Sequence, residues 1–91
     1  MKNILREAED VIFQRQATYD APEDNFRRIA DFWNAYITNK PSHDIITPAD
    51  VAVMMMLMKI ARLTFQYKHD SIVDVAGYAQ CLVNVMEQNG E

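Results

Sequence analysis

The sequence predicts an all-α fold, a four-helix bundle in a single domain spanning residues 1–91, and three observations carry that prediction. Two glycines and three prolines in 91 residues leave little chain for turns, while 49% of the residues are hydrophobic, a composition that favours long helices over disorder or collagen-like structure. Apolar residues recur at three- and four-residue spacing rather than in alternation. Helix-start signatures, proline and capping residues, punctuate the chain at intervals of a helix length.

The first helix is expected over about residues 3–18, with Ile4, Leu5, Ala8, Val11 and Ile12 on one side, where Arg15 also falls, and Glu7, Glu9 and Asp10 complementing the positive end of its dipole. Asp20 and Glu23 make a capping-box pattern around Pro22, opening a second helix to about residue 38 with Phe26, Ile29, Ala30, Trp33 and Ile37 as its stripe. The loop "NKPSHDII" follows. Thr47, Pro48 and Asp50 are the firmest start signal: cap, first helical position, and a carboxylate three residues after the cap. The third helix is expected over residues 48–68. From Val51 to Met58 it is apolar on every side, so it is expected to be central, or to face both its own bundle and a partner subunit; Met54, Met55 and Met56 add adaptable packing. Ser71 and Asp74 suggest a second capping box opening a fourth helix over 71–89, with Ile72, Val75, Ala76, Ala79, Leu82, Val83 and Met86 facing inward and Asn89-Gly90 ending it. A chain this short buries only about two-thirds of its unfolded surface, which makes a homo-oligomer the expected state.

Composition narrows the function. The net charge of −4, with no cluster of Lys and Arg, argues against duplex nucleic acid as a partner. Cys81 stands alone, as expected of a buried helix residue in a reducing cytoplasm. The N-terminus lacks the features of a secretory signal, and the longest apolar run is far short of a membrane span, so a soluble cytoplasmic protein with no membrane partner is expected.

Charge placed in and after the apolar third helix is the feature with chemical content. Lys59 and Arg62 share one side of that helix; Asp70, Asp74 and Tyr78 share one line of the next. An antiparallel pairing would bring the two sets level. Cations for phosphate oxygens, acids for a metal or ribose hydroxyls, and an aromatic face for a base are what a nucleotide site needs, and an internal ion-pair network has the same spacing. Asn25 and Trp33 add an amide and a further stacking surface, as do Tyr19 and Tyr36. Asp70 and Asp74 are the candidate metal ligands, for Mg²⁺; for Asp50 and Asp74, capping is the competing role. Asp50 lies too far along the third helix to join Asp70 and Asp74 within one chain. His43 and His69 have no partner at ligand spacing, and neither a P-loop nor a dinucleotide fingerprint occurs.

Arg15 with Tyr19, "NFRRIADFWNAY" from Asn25 to Tyr36, "TPADVAVMMMLMKIAR" from Thr47 to Arg62, and "DSIVDVAGYA" from Asp70 to Ala79 together resemble a family of small proteins of tailed phages and prophages, described as a domain of unknown function. The resemblance covers about two-thirds of the chain and implies an infected or lysogenic bacterial host. Where that family reads Y-G-D, this chain has Tyr19, Asp20 and Ala21, which puts any role of that turn's acid in doubt. More distantly, "DSIVD" is similar to the MazG-type all-α nucleoside triphosphate pyrophosphatases, in which paired acids hold Mg²⁺ over phosphates. That likeness implies Asp70 and Asp74 as later acids, spaced by four rather than three, and Asp50 alone for the earlier pair. Three readings follow. The first is a binding protein that holds a nucleotide or nucleotide-derived signal without turnover, a sponge against host antiviral defence. The others are a Mg²⁺-dependent pyrophosphatase and a protein–protein interaction module.

Overall fold

In the computed structural model the described residues are 3–16, 21–42 and 44–89, with residues 15 and 16 described in their backbone only. Tyr19, Asp20, His43 and Gly90, and with them the Asp20–Glu23 capping box, lie outside the described residues. Among the described residues four helices account for the regular structure: α1 (Ile4–Gln16), α2 (Pro22–Asn39), α3 (Pro48–Leu63) and α4 (His69–Gln88). No strand occurs among the described residues.

The start of α3 is built as its sequence requires. Thr47 sits in extended backbone, its hydroxyl accepts from the Asp50 amide, the Asp50 carboxylate accepts from the Thr47 amide, and Pro48 takes the first turn. α2 starts at its proline, but its N-cap is Ala21, which offers no side-chain acceptor. Two boundaries differ from expectation. α3 stops at Leu63 rather than 68, because the Thr64 amide and hydroxyl both donate to the Ala61 carbonyl, at 3.2 and 2.7 Å, tightening the last turn. α4 begins at His69, capped by Lys68 without a side-chain bond. Ser71, expected as the cap, is instead buried inside the first turn at 5% exposure, so the Ser71–Asp74 capping box does not form.

α3 lies between α2 and α4, packing against both. The direction of packing is read from cross-helix bonds: Tyr36 meets Asp50 and Trp33 meets Met54, so α2 and α3 run antiparallel. The contact of Lys59 with Asp74 joins α3 to α4. The all-round apolar composition of α3 is thereby explained, since residues 52–63 are all at least partly buried. The interior is nevertheless thin. Among the described residues its buried apolar members are Ile29, Ala52 and Ala61, joined by Asn25, Asp50 and Ser71, and no large side chain is fully buried.

α1 departs from the expected bundle. Every side chain described in it is exposed, with Ile4 at 78% and Leu5 at 76%. The radius of gyration is 15.8 Å, against about 12 Å for a compact chain of this length. Phe26 and Ile37 on α2, and Ile72, Val83 and Met86 on α4, are likewise exposed rather than internal. Cys81, expected to be buried, faces outward, because the face of α4 that meets α3 carries Ser71, Val75, Tyr78 and Leu82 instead. No helix among the described residues is long and apolar enough to cross a membrane.

Candidate ligand-binding zone on helices α2, α3 and α4

Two polar centres lie at opposite ends of α3. At its N-terminus the Asp50 carboxylate is surrounded by donors. Tyr36 Oη donates to Oδ1 at 2.7 Å; Lys40 Nζ, the Thr47 amide and Thr47 Oγ1 donate to Oδ2 at 2.6, 2.9 and 3.0 Å. The Lys40 ammonium, then the Thr47 amide and the Tyr36 hydroxyl, hold the Asp50 carboxyl well below the usual carboxylate range. Reciprocally, the bond to Asp50, then burial, push the Tyr36 phenol up to about 12. With five protein bonds already made by its carboxylate and amide, Asp50 has the capping role weighed for it, and it locks the α2–α3 loop. Sequence spacing identified the Thr47–Asp50 box; Lys40 and Tyr36 were not legible as its partners, because their approach depends on how α2 packs.

The second centre is the expected charged zone. Lys59 Nζ lies 2.8 Å from Asp74 Oδ2, with the lysine side chain 15% exposed and the aspartate 45%. This pair brings two of the candidate residues together within one chain. Carrying the antiparallel register three residues along, Arg62 in the last turn of α3 falls level with Ser71 in the first turn of α4. Asp70, beside Ser71, is exposed, and Tyr78 is half-buried one turn beyond Asp74. On α2 the Tyr36–Asp50 register places Asn25 level with Ala61, and both are buried. It also places Arg28 near the level of Met58, and Arg28 holds its guanidinium 5.7 Å from the centre of the Phe65 ring. In the sequence Arg28 reads only as one of two adjacent arginines, and no spacing marks it. Trp33 does not join this zone: its indole N–H donates to the Met54 carbonyl at 2.6 Å, about 7.5 Å further along α3 at 1.5 Å per residue.

Three cations from two helices, Arg28, Lys59 and Arg62, are thus set along the C-terminal half of α3, with Asp74 and Asp70 on the facing helix. Such a zone favours an anion that also presents hydroxyl or amino donors to the acids. It fits a divalent metal less well. Lys59 already neutralises Asp74, and its ammonium competes with a cation there.

The fold and this zone define a small all-helical module carrying mixed charge on a thin core. The chain belongs to the family described as Domain of unknown function (DUF6378), which matches residues 3–86. It is similar to the Gene 55 protein of Mycobacterium phage L5, 45% identical over 82 residues, covering 88% of this chain and 50% of that protein. It is also similar to the Gene 55 protein of Mycobacterium phage D29, 38% identical over 89 residues, covering 96% of this chain and 56% of that protein. The chain therefore spans about half the length of these phage relatives. No solved structure matches it.

Proposed function

We propose that this phage-related module binds a nucleotide or nucleotide-derived signalling molecule without turning it over, sequestering it as a sponge that lowers a host antiviral signal. The observation that carries the reading is the Lys59–Asp74 pair, a largely buried ammonium held 2.8 Å from a carboxylate that is half open to solvent. A phosphate group approaching from the open side exchanges with Asp74 for Lys59, while Arg28 and Arg62 add positive charge on neighbouring turns. Asp74 and Asp70 then face ribose hydroxyls or base amino groups, and Tyr78 and Asn25 supply a stacking surface and an amide. Turnover as in the MazG-type enzymes is the runner-up. It requires Mg²⁺ on Asp70 and Asp74, and the lysine on Asp74 opposes that.

The test is to incubate the chain with nucleoside triphosphates, cyclic nucleotides and ADP-ribose derivatives, with and without Mg²⁺, and analyse the protein-free filtrate by mass spectrometry. Depletion of one compound that returns intact on denaturation, and loss of that depletion in Lys59→Met, is the expected result. A monophosphate appearing with pyrophosphate would establish the enzyme instead. A panel that passes unchanged would leave the zone as an internal ion-pair network and favour a protein-interaction role, for which the many exposed apolar side chains of α1 and α2 are the supporting observation.

A further inference from the structure

We infer that the end of the helix layer where α2 and α4 begin and α3 stops is a phosphate seat, formed by the Asn25 amide, the Ser71 hydroxyl and the Arg62 guanidinium with the first-turn amides of α4. It rests on the nucleotide reading above only for what the phosphate is attached to. The observation behind it is a contrast among three buried polar residues. Asn25, Asp50 and Ser71 are 8%, 6% and 5% exposed. The Asp50 carboxylate is bonded to Tyr36, Lys40 and Thr47. Among the described residues neither the Asn25 side-chain amide nor the Ser71 hydroxyl makes a hydrogen bond. Buried polar side chains are as a rule partnered, and the rare exception points to a group that the chain itself does not supply.

The two groups lie at one height on α3. The Tyr36–Asp50 register sets Asn25 level with Ala61, and the Lys59–Asp74 register sets Ser71 level with Arg62, the next residue of α3. Ala61 falls on the line of Asp50 and Met54, which meets α2, whereas Lys59 faces α4. At 3.6 residues per turn Arg62 projects between those two lines. Its side chain therefore lies on the side of α3 that the starts of α2 and α4 share.

Electrostatics at this end select an anion. Both α2 and α4 run antiparallel to α3, so the positive ends of two helix dipoles are presented together. Neither start is closed by a side chain: the N-cap of α2 is Ala21 and that of α4 is Lys68, and no side-chain cap bond forms at either. The first-turn amides of α4 thus have no acceptor within their helix. Arg62, with Arg28 one turn after Asn25 and Lys68 at the cap of α4, adds cations. The acids of the two first turns, Glu23, Asp24 and Asp70, are exposed, while the faces turned in against α3 carry Asn25 and Ser71, each with a donor. A phosphate offers several charged acceptor oxygens and can take bonds from amide, hydroxyl and guanidinium at once. A water molecule could bond the amide and the hydroxyl but leaves the positive potential unanswered. The Lys59–Asp74 pair lies three residues back along α3, about 4.5 Å at helical rise, so a nucleotide seated by its terminal phosphate lays its next group against that pair.

The experiment compares the unsubstituted chain with Ser71→Ala and Asn25→Leu, by thermal melts of the free proteins and by calorimetric titration with inorganic pyrophosphate against sodium chloride of matched ionic strength. Each substitution removes a buried polar group that has no protein partner, so each free variant is expected to melt at or above the temperature of the unsubstituted chain. Pyrophosphate affinity is expected to fall about tenfold in each, as for the loss of one hydrogen bond to a charged group. A lower melting temperature in both variants would show that the amide and the hydroxyl are held by ordered water as part of the fold, and the seat would be overturned. Equal affinity in the unsubstituted chain and either variant, or no binding by any of them, overturns it as well. The nucleotide reading fails separately. Pyrophosphate held through Asn25 and Ser71 while the nucleotide panel passes unchanged keeps the seat and removes the nucleotide, whereas depletion of a nucleotide that neither variant weakens does the reverse.

Discussion

Lys40 Nζ lies 2.6 Å from Asp50 Oδ2, joining the C-terminal cap of α2 to the first turn of α3. Because Tyr36 donates to the other oxygen of the same carboxylate, Asp50 closes the α2–α3 loop from one side while capping α3 from the other. A single side chain thereby couples a local helix start to a tertiary contact.

The two roles separate by mutation. Thr47→Ala removes the cap hydroxyl, with its own bond to Asp50 Oδ2, but leaves Lys40 and Tyr36 on the carboxylate, and is expected to destabilise the chain by about 1 kcal/mol, the usual cost of losing an N-cap hydroxyl. Asp50→Ala keeps the backbone amide that donates to Thr47 Oγ1, but removes the carboxylate half of the capping box and leaves the Lys40 ammonium and the Tyr36 hydroxyl without their acceptor, so its urea midpoint is expected to fall well below that of Thr47→Ala. Equal midpoints would mean that the loop contacts contribute nothing.

The same network sets a pH dependence at both extremes. The folded-state pKa of Asp50 is depressed below its ordinary value of 3.8. Its stabilising contribution is therefore present above about pH 4 and is lost as pH falls towards the folded pKa, where the unfolded chain binds the proton first. Tyr36 is raised from 10.0 to about 12, so its contribution is complete below pH 10 and is lost as pH climbs through 12. Asp50→Asn should flatten the acid limb of a stability–pH profile, and Tyr36→Phe should remove the latest tyrosinate absorbance change in an alkaline titration of the folded chain. An acid limb unchanged by Asp50→Asn would place the proton uptake elsewhere.

What was legible in the sequence tracks the range of the interaction that decides it. The Thr47–Asp50 box, the proline starts of α2 and α3, and the central position of α3 follow from local spacing, and the structure has them. The end of α3 is not legible, because nothing in "RLTFQYKHD" breaks a helix except the Thr64 hydroxyl turning back on Ala61. The spacing of Ser71 to Asp74 is that of a cap, yet tertiary contact buries Ser71. The Lys59–Asp74 pairing was legible once an antiparallel α3–α4 hairpin was assumed. Arg28, Lys40 and Tyr36 were not, since no spacing along α2 says which of its turns faces which turn of α3. The exposed stripes of α1 and α2 read as core in sequence because period alone shows that a helix has an apolar side and is silent on which chain covers it.

Gly77 lies in the interior of α4, and a Cβ built there meets no atom within 4 Å. Gly77→Ala is therefore expected to stabilise the chain by about 0.5–1 kcal/mol, from reduced backbone freedom in the unfolded state and better helix propensity. Thermal melts at matched concentration check this. A loss of stability would show that this face of α4 is packed against something in solution.

Trp33 is the sole tryptophan, and its indole N–H donates to the Met54 carbonyl across the α2–α3 contact. Trp33→Phe keeps an aromatic ring but removes that donor, with an expected cost of about 1 kcal/mol. In the unsubstituted chain the indole emission should shift on unfolding together with the helical circular dichroism signal. An emission change that precedes loss of helix would mean that α2 leaves α3 before the chain unfolds.

Lys59 and Asp74 decide between a site and a brace. With the aspartate nearly half exposed, solvent and salt screen the pair, and a double-mutant cycle of Lys59→Met and Asp74→Asn is expected to give a coupling of about 1 kcal/mol or less. A weak coupling leaves Lys59 able to exchange its carboxylate for a ligand phosphate at small cost to the fold. The cycle measured in urea at low and high salt tests this, with the coupling expected to shrink as salt rises. A coupling of several kcal/mol that salt does not touch would identify a desolvated structural bridge, and Lys59 would then be unavailable to any anion.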